Sequence, residues 1–130
     1  MSGEVLRLAV ICAGGGIGAV LRFVVSSWAQ TRSGSLVYPF GTLTVNMIGC
    51  LLIGFLSALS ENRSMFSAEM RSFLIIGVLG GFTTFSSFGN ETLNLLRAGR
   101  GELAMLNAGL QVVIGVGLVW VGRIMAELWG

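Results

Sequence analysis

The residues best placed for chemistry in this chain are neither acids nor histidines: its 130 residues contain no His, Asp or Lys. The stretch GGFTTFSSFGN, Gly80 to Asn90, instead gathers glycines, four hydroxyl side chains and three phenylalanines inside an apolar run. Glycine and hydroxyl residues weaken a helix, the latter by offering the backbone competing hydrogen bonds. In a bilayer, irregular backbone survives only where protein or water satisfies it. The segment therefore reads as a mid-membrane break that frees carbonyls and N–H groups for ions, or as an intact helix whose glycines allow close packing. Phe82, Phe85 and Phe88 recur every three residues, hence along one side of any helical stretch. Such rings ordinarily fill a core or face lipid. Their edges are nonetheless positive. Beside hydroxyl and amide donors, ring edges can hold a small, partly dehydrated anion without a fixed positive charge, and conduction needs binding weak enough for release.

Three amides lie at mid-depth in other apolar runs. Asn46, with Thr42 one turn before it and Gly49 about one turn after, must face protein or water, because an amide in lipid is costly. Asn107, Gln111 and Gly115 form a second stripe at i, i+4, i+8. Each amide serves equally as interhelical glue or as the lining of an ion path. In GGGIGAVLR, Gly14, Gly18 and Arg22 share a helical face, where small residues favour close packing. Arg22 reads either as an interfacial anchor or as a source of positive potential in an anion-attracting vestibule.

These residues need apolar helices to position them. The chain is 54% hydrophobic and 11% charged, with a mean hydropathy of +0.85, which points to an integral membrane protein. Uncharged runs cover 33–60, 72–90 and 103–122. A span needs about 20 mostly apolar residues. Arg7 and Arg22 can snorkel at the ends of a further segment. Four spans are expected, near 5–28, 39–60, 70–96 and 102–126, in an all-α membrane domain with a broken third helix. The first is read as a retained span rather than a leader, because Glu4 weakens its basic start and no small-residue cleavage site follows. Pro39 suits the first turn of the second helix. Trp28, Tyr38, Trp120 and Trp129 fall near span ends, as an aromatic belt would. Cys12 and Cys50 lie within spans and read as small packing residues. No P-loop, dinucleotide fingerprint or nucleophile–His–acid set can be assembled, so no enzyme and no nucleic-acid partner are expected.

Charge placement bears on topology. With four spans, Arg7, Arg63, Arg71 and Arg123 lie on one side and Arg22, Arg32, Arg97 and Arg100 on the other. Orientation normally follows an excess of Lys and Arg in cytoplasmic loops, and here there is none. Either the balance is chance, or the chain inserts both ways and pairs as an antiparallel dual-topology homodimer, making from two copies the inverted symmetry of larger transporters.

The chain resembles the Fluc family of bacterial fluoride channels. The resemblance rests on GGxGAxxR (Gly15, Gly16, Gly18, Ala19, Arg22), GTLxxN (Gly41, Thr42, Leu43, Asn46) and GGxTTFSxFxxE (Gly80 to Glu91), and runs over all four spans. It implies an antiparallel homodimer with two fluoride pores in a bacterial inner membrane. It assigns Phe85 and Phe88 to ring-edge contact with the anion and Asn46 to the pore. It makes Thr84, Ser86 and Ser87 candidate pore hydroxyls and sets Glu91 near a pore mouth; Thr42, Asn107 and Gln111 are taken with them as pore residues. It implies a structural Na⁺ on the two-fold axis, held by backbone carbonyls of Gly80 and Thr83 from both copies, and gives Phe82 no role. The fourth helix departs from the family, reading Asn107 and Gln111 where an aromatic or histidine and then a serine are usual. Passive fluoride export is the function implied. The rivals are a small dual-topology multidrug exporter, which needs a carboxylate in its first helix where this chain has only Glu4, and a non-transporting membrane scaffold.

Overall fold

In the computed structural model, residues 2–129 are described, and they form four long helices. These are α1 (Gly3–Ser33), α2 (Phe40–Arg63), α3 (Ala68–Arg97) and α4 (Gly101–Leu128), each long and apolar enough to cross a membrane. Each helix overlaps one of the expected segments, and every helix end but the start of α2 extends beyond it. α1 continues to Ser33 because its end is set by chain chemistry, not by bilayer thickness. Gly34 takes the left-handed conformation (φ 68°) and turns its N–H back onto the Thr31 carbonyl. At the other end, the Ser2 hydroxyl accepts the Val5 N–H.

Pro39 sits one residue earlier than expected, just before the first helical residue of α2, and contributes no side-chain cap. Gln30 of α1 caps α2 in its place. Its Oε1 accepts the Gly41 N–H at 2.9 Å, while its Nε2 donates to the carbonyls of Ser35 and Tyr38. One side chain thus satisfies both an exposed helix start and the loop that leads to it.

Two glycine-lined seams hold the bundle. α1 packs on the first half of α3, and α2 packs on α4. A Cβ on Gly14 or Gly18 would run into backbone of Phe73 or Val78, and one on Gly81 into Gly15. Across the second seam, Gly54 faces the backbone of Val119 and Gly122 faces Leu51. Close backbone approach of this kind replaces the hydrophobic drive that lipid cannot supply. Ala58, Leu59 and Ala126 form a small buried cluster between α2 and α4, edged by Phe55 and Phe66. Trp28, Trp120 and Trp129 are exposed, but Tyr38 is buried and is not part of a belt.

α3 is not uniform. Ser72–Leu79 winds as a π-helix, and Leu110–Ile114 of α4 does the same. Wide turns of this type concentrate at functional places. After Phe82 the backbone opens: Thr83 (φ −91°, ψ 160°) and Thr84 (φ −152°, ψ 109°) are extended, and helix resumes at Phe85. Phe82 is thereby separated from Phe85 and Phe88. The three rings do not share one helical side as their spacing predicts.

Candidate functional site

The site grows out of Thr83 and Thr84. In an uninterrupted helix, the Thr84 N–H would serve the Gly80 carbonyl and the Ser87 N–H the Thr83 carbonyl. Both donors are diverted. The Thr84 N–H goes to Asn46 Oδ1 at 2.8 Å, and the Ser87 N–H goes to Thr84 Oγ1 at 3.1 Å, capping the resumed helix. Gly80 and Thr83 are left with carbonyls relieved of their α-helical donors.

Asn46 of α2 holds the opening in place. Besides accepting from Thr84, its Nδ2 donates to the Thr84 carbonyl at 3.1 Å and to Gln111 Oε1 of α4 at 3.0 Å. Both edges of one extended residue are therefore satisfied by one amide, as an irregular backbone away from water requires. Thr83 turns its hydroxyl back to the Leu79 carbonyl at 3.0 Å.

Two cavities flank this point, and Thr84 borders both. One, of about 430 Å³, is walled mainly by apolar side chains and includes Asn46, Gly80, Thr83, Phe85, Phe88 and Gln111. Phe85 is 81% exposed, and its ring meets that of Phe88 edge to face at a 5.5 Å centroid distance. The other, of about 440 Å³, is polar and includes Arg22, Thr42, Ser86, Ser87 and Glu91. Thr42 donates to Glu91 Oε1 at 2.7 Å, and Thr84 Oγ1 donates to Ser87 Oγ at 3.0 Å. Arg22 and Glu91 share this cavity without forming an ion pair; the ion pair found among the described residues is Arg123–Glu61.

Sequence reasoning assembled most of this set but not its grouping. It placed Asn46, Phe85 and Phe88 with Ser87 and Thr42 in one track. The structure sets Asn46 and the phenylalanines on one side of Thr84, and Thr42, Ser86 and Ser87 with Arg22 on the other. Glu91, read as a residue of a mouth, reaches Thr42 of α2. Asn107 borders neither cavity. It is fully buried and donates to Thr92 Oγ1 at 3.0 Å, and Thr92 in turn donates to the Phe88 carbonyl at 2.7 Å. The α4 amides thus act on α3 backbone, Asn107 through Thr92 and Gln111 through Asn46. Thr92 was missed; its position one turn after Phe88 was the available signal. The Nε2 of Gln111 and the Oδ1 of Asn107 are buried without a partner among the described residues.

The arrangement offers carbonyl oxygens for a hard cation, and ring edges and amide protons for an anion. Among the described residues no cluster of His, Cys, Asp or Glu side chains suits a metal.

Comparison with known proteins identifies the family of the chain. Residues 9–123 match the family model described as CrcB-like protein, Camphor Resistance (CrcB). A protein of Parabacteroides distasonis is 43% identical over 122 residues, 94% of each chain. One of Hydrogenovibrio crunogenus is 44% identical, covering 92% of this chain and 89% of its own. One of Methylobacillus flagellatus is 41% identical, covering 89% and 91%. All three carry the name fluoride-specific ion channel FluC. A match over this much of the chain, on four helices able to span a bilayer, makes the protein a multi-pass membrane member of the CrcB-like family.

Proposed function

We propose that the chain is a fluoride-specific channel that lets fluoride leave the cell passively, and not an enzyme. The observation that carries this reading is the opened backbone at Thr83–Thr84, clamped by Asn46 beside the Phe85 and Phe88 rings. Fluoride is small and strongly hydrated. A pathway for it must replace water with donors that do not trap it. Ring edges, the Gln111 amide and the Ser86 and Ser87 hydroxyls provide that kind of weak field, and Arg22 raises the anion concentration in the polar cavity.

The active unit in this proposal is an antiparallel homodimer. One copy leaves Phe85 exposed beside a cavity that α2, α3 and α4 line without enclosing, and the evenly divided arginines permit both orientations. The residues present also fit a structural Na⁺ at the opening of α3. Gly80 and Thr83 have carbonyls whose helical donors are diverted, and carbonyl dipoles suit a hard cation without a carboxylate. Such an ion would supply fixed positive charge where two copies meet. Gly80 and Thr83 hold the oxygens, Thr84 turns the chain, and Asn46 keeps it turned.

A multidrug exporter is disfavoured because the carboxylate of α1 is Glu4, in its first turn. A scaffold has no use for an amide-clamped opening. Purified protein in liposomes is expected to pass fluoride far faster than chloride, and Phe85→Ile to cut fluoride flux about tenfold by removing the ring edge. Equal rates for the two halides sink the channel reading. Unchanged flux in the variant sinks the role of the ring.

A further inference from the structure

We propose that the end of the bundle where α1 begins and α2 ends carries a binding site for a phosphate-type oxyanion, whether on a lipid headgroup or free in solution. The site is a separate cavity of about 540 Å³, away from the opening in α3. Its polar wall is made by Arg7, Ser57, Ser60, Glu61, Arg71 and Ser72. These residues come from three helices, so the fold, and not one local run of sequence, brings them together.

The guanidinium groups are positioned and under-used. Arg7 Nε donates to the Oγ of Ser72 at 3.1 Å, and Ser72 is only 3% exposed. That bond fixes the plane of the Arg7 fork. Among the described residues, its terminal nitrogens and the whole of the Arg71 guanidinium have no side-chain partner. The single carboxylate in the wall, Glu61, is engaged by Arg123 of α4 at 2.6 Å. The cavity therefore holds two arginine charges against one acid that is already paired. Arginine forks match the oxygens of a tetrahedral oxyanion in pairs. The hydroxyls of Ser57 and Ser60 add neutral donors on the facing helix.

Size and position select the ligand. The volume far exceeds a bare halide and accommodates a phosphate group with substituents. Ile75 and Ile76 give the same cavity an apolar wall on α3, suited to the carbon portion of a lipid. The two arginines lie near span ends, where headgroups lie.

The test uses the intact protein in neutral detergent, following its melting by tryptophan fluorescence. Phosphatidylglycerol, phosphatidylcholine and inorganic phosphate are titrated separately. Saturable stabilisation by phosphatidylglycerol alone assigns the site to a lipid headgroup. Stabilisation by inorganic phosphate as well, or by it alone, assigns it to the oxyanion itself. In either case Arg71→Gln is expected to weaken the apparent affinity about tenfold, while Arg97→Gln, at the other end, leaves it unchanged. Arg71 has no side-chain hydrogen bond to lose, so its variant is expected to fold normally. Fluoride flux in phosphatidylcholine liposomes is expected to be the same for Arg71→Gln and the native chain, which separates this site from the channel. No saturable shift with either phosphate ligand, or an undiminished shift in Arg71→Gln, overturns the proposal.

Discussion

One amide does an unusual amount in this molecule. Asn46 makes three hydrogen bonds, and two of them go to the N–H and carbonyl of the same residue, Thr84. Removing it strands both backbone groups of a residue that is only 8% exposed. Each stranded group costs about 1–3 kcal/mol. Asn46→Ala is therefore expected to destabilise the protein by about 2–6 kcal/mol, seen as a lower midpoint of denaturant unfolding in detergent, with fluoride flux lost in step. Gln111→Ala removes only a bond to Asn46 and leaves the Thr84 clamp intact, so its loss of stability should be clearly smaller. The reverse order would mean that Asn46 does not act through Thr84. The sequence showed that Asn46 faces protein or water, because facing lipid is costly. It did not show the partner. Thr84 is 38 residues away, and only the lie of α2 against α3 brings them together. The same holds for Thr42 and Glu91, 49 residues apart. Spacing along one helix is readable as a shared face, whereas the pairing of faces is a property of packing.

At the level of whole helices, the apolar runs located every span but not every end. Apolar length measures the bilayer, while Gly34 and the Gln30 cap terminate the helices by hydrogen bonding. The glycine stripe of α1 was legible because a row of small residues has few other uses in lipid. Which glycines are indispensable was not legible. A Cβ on Gly18 would strike the Val78 backbone, whereas one on Gly16 meets nothing within 4 Å. Gly18→Ala must then push α1 away from α3, with an expected cost of about 1–3 kcal/mol for an overpacked contact. Gly16→Ala on the same helix should be neutral or gain up to about 1 kcal/mol from improved helix propensity. Denaturant midpoints of the two variants give the comparison directly. Similar midpoints would show that the α1–α3 seam yields easily.

For the molecule as a whole, the even division of charge becomes a statement about assembly. Four arginines lie toward each face, so neither orientation is favoured by the rule that normally decides it. In the proposed homodimer, a second copy would cover the exposed Phe85 and close the open cavity beside it. If the partner is inverted, both orientations are needed in the same membrane. Two lysines added to one face should tip the balance. Asn62→Lys with Met65→Lys biases the connection between α2 and α3, and Thr31→Lys with Leu36→Lys biases the opposite face; all four positions are exposed. Each double variant expressed alone is expected to insert one way and to give no fluoride flux after reconstitution. Expressed together, the two are expected to restore flux, because each supplies the orientation that the other lacks. A single locked form that assembles active homodimers would exclude the antiparallel pair and leave the even charge count as coincidence.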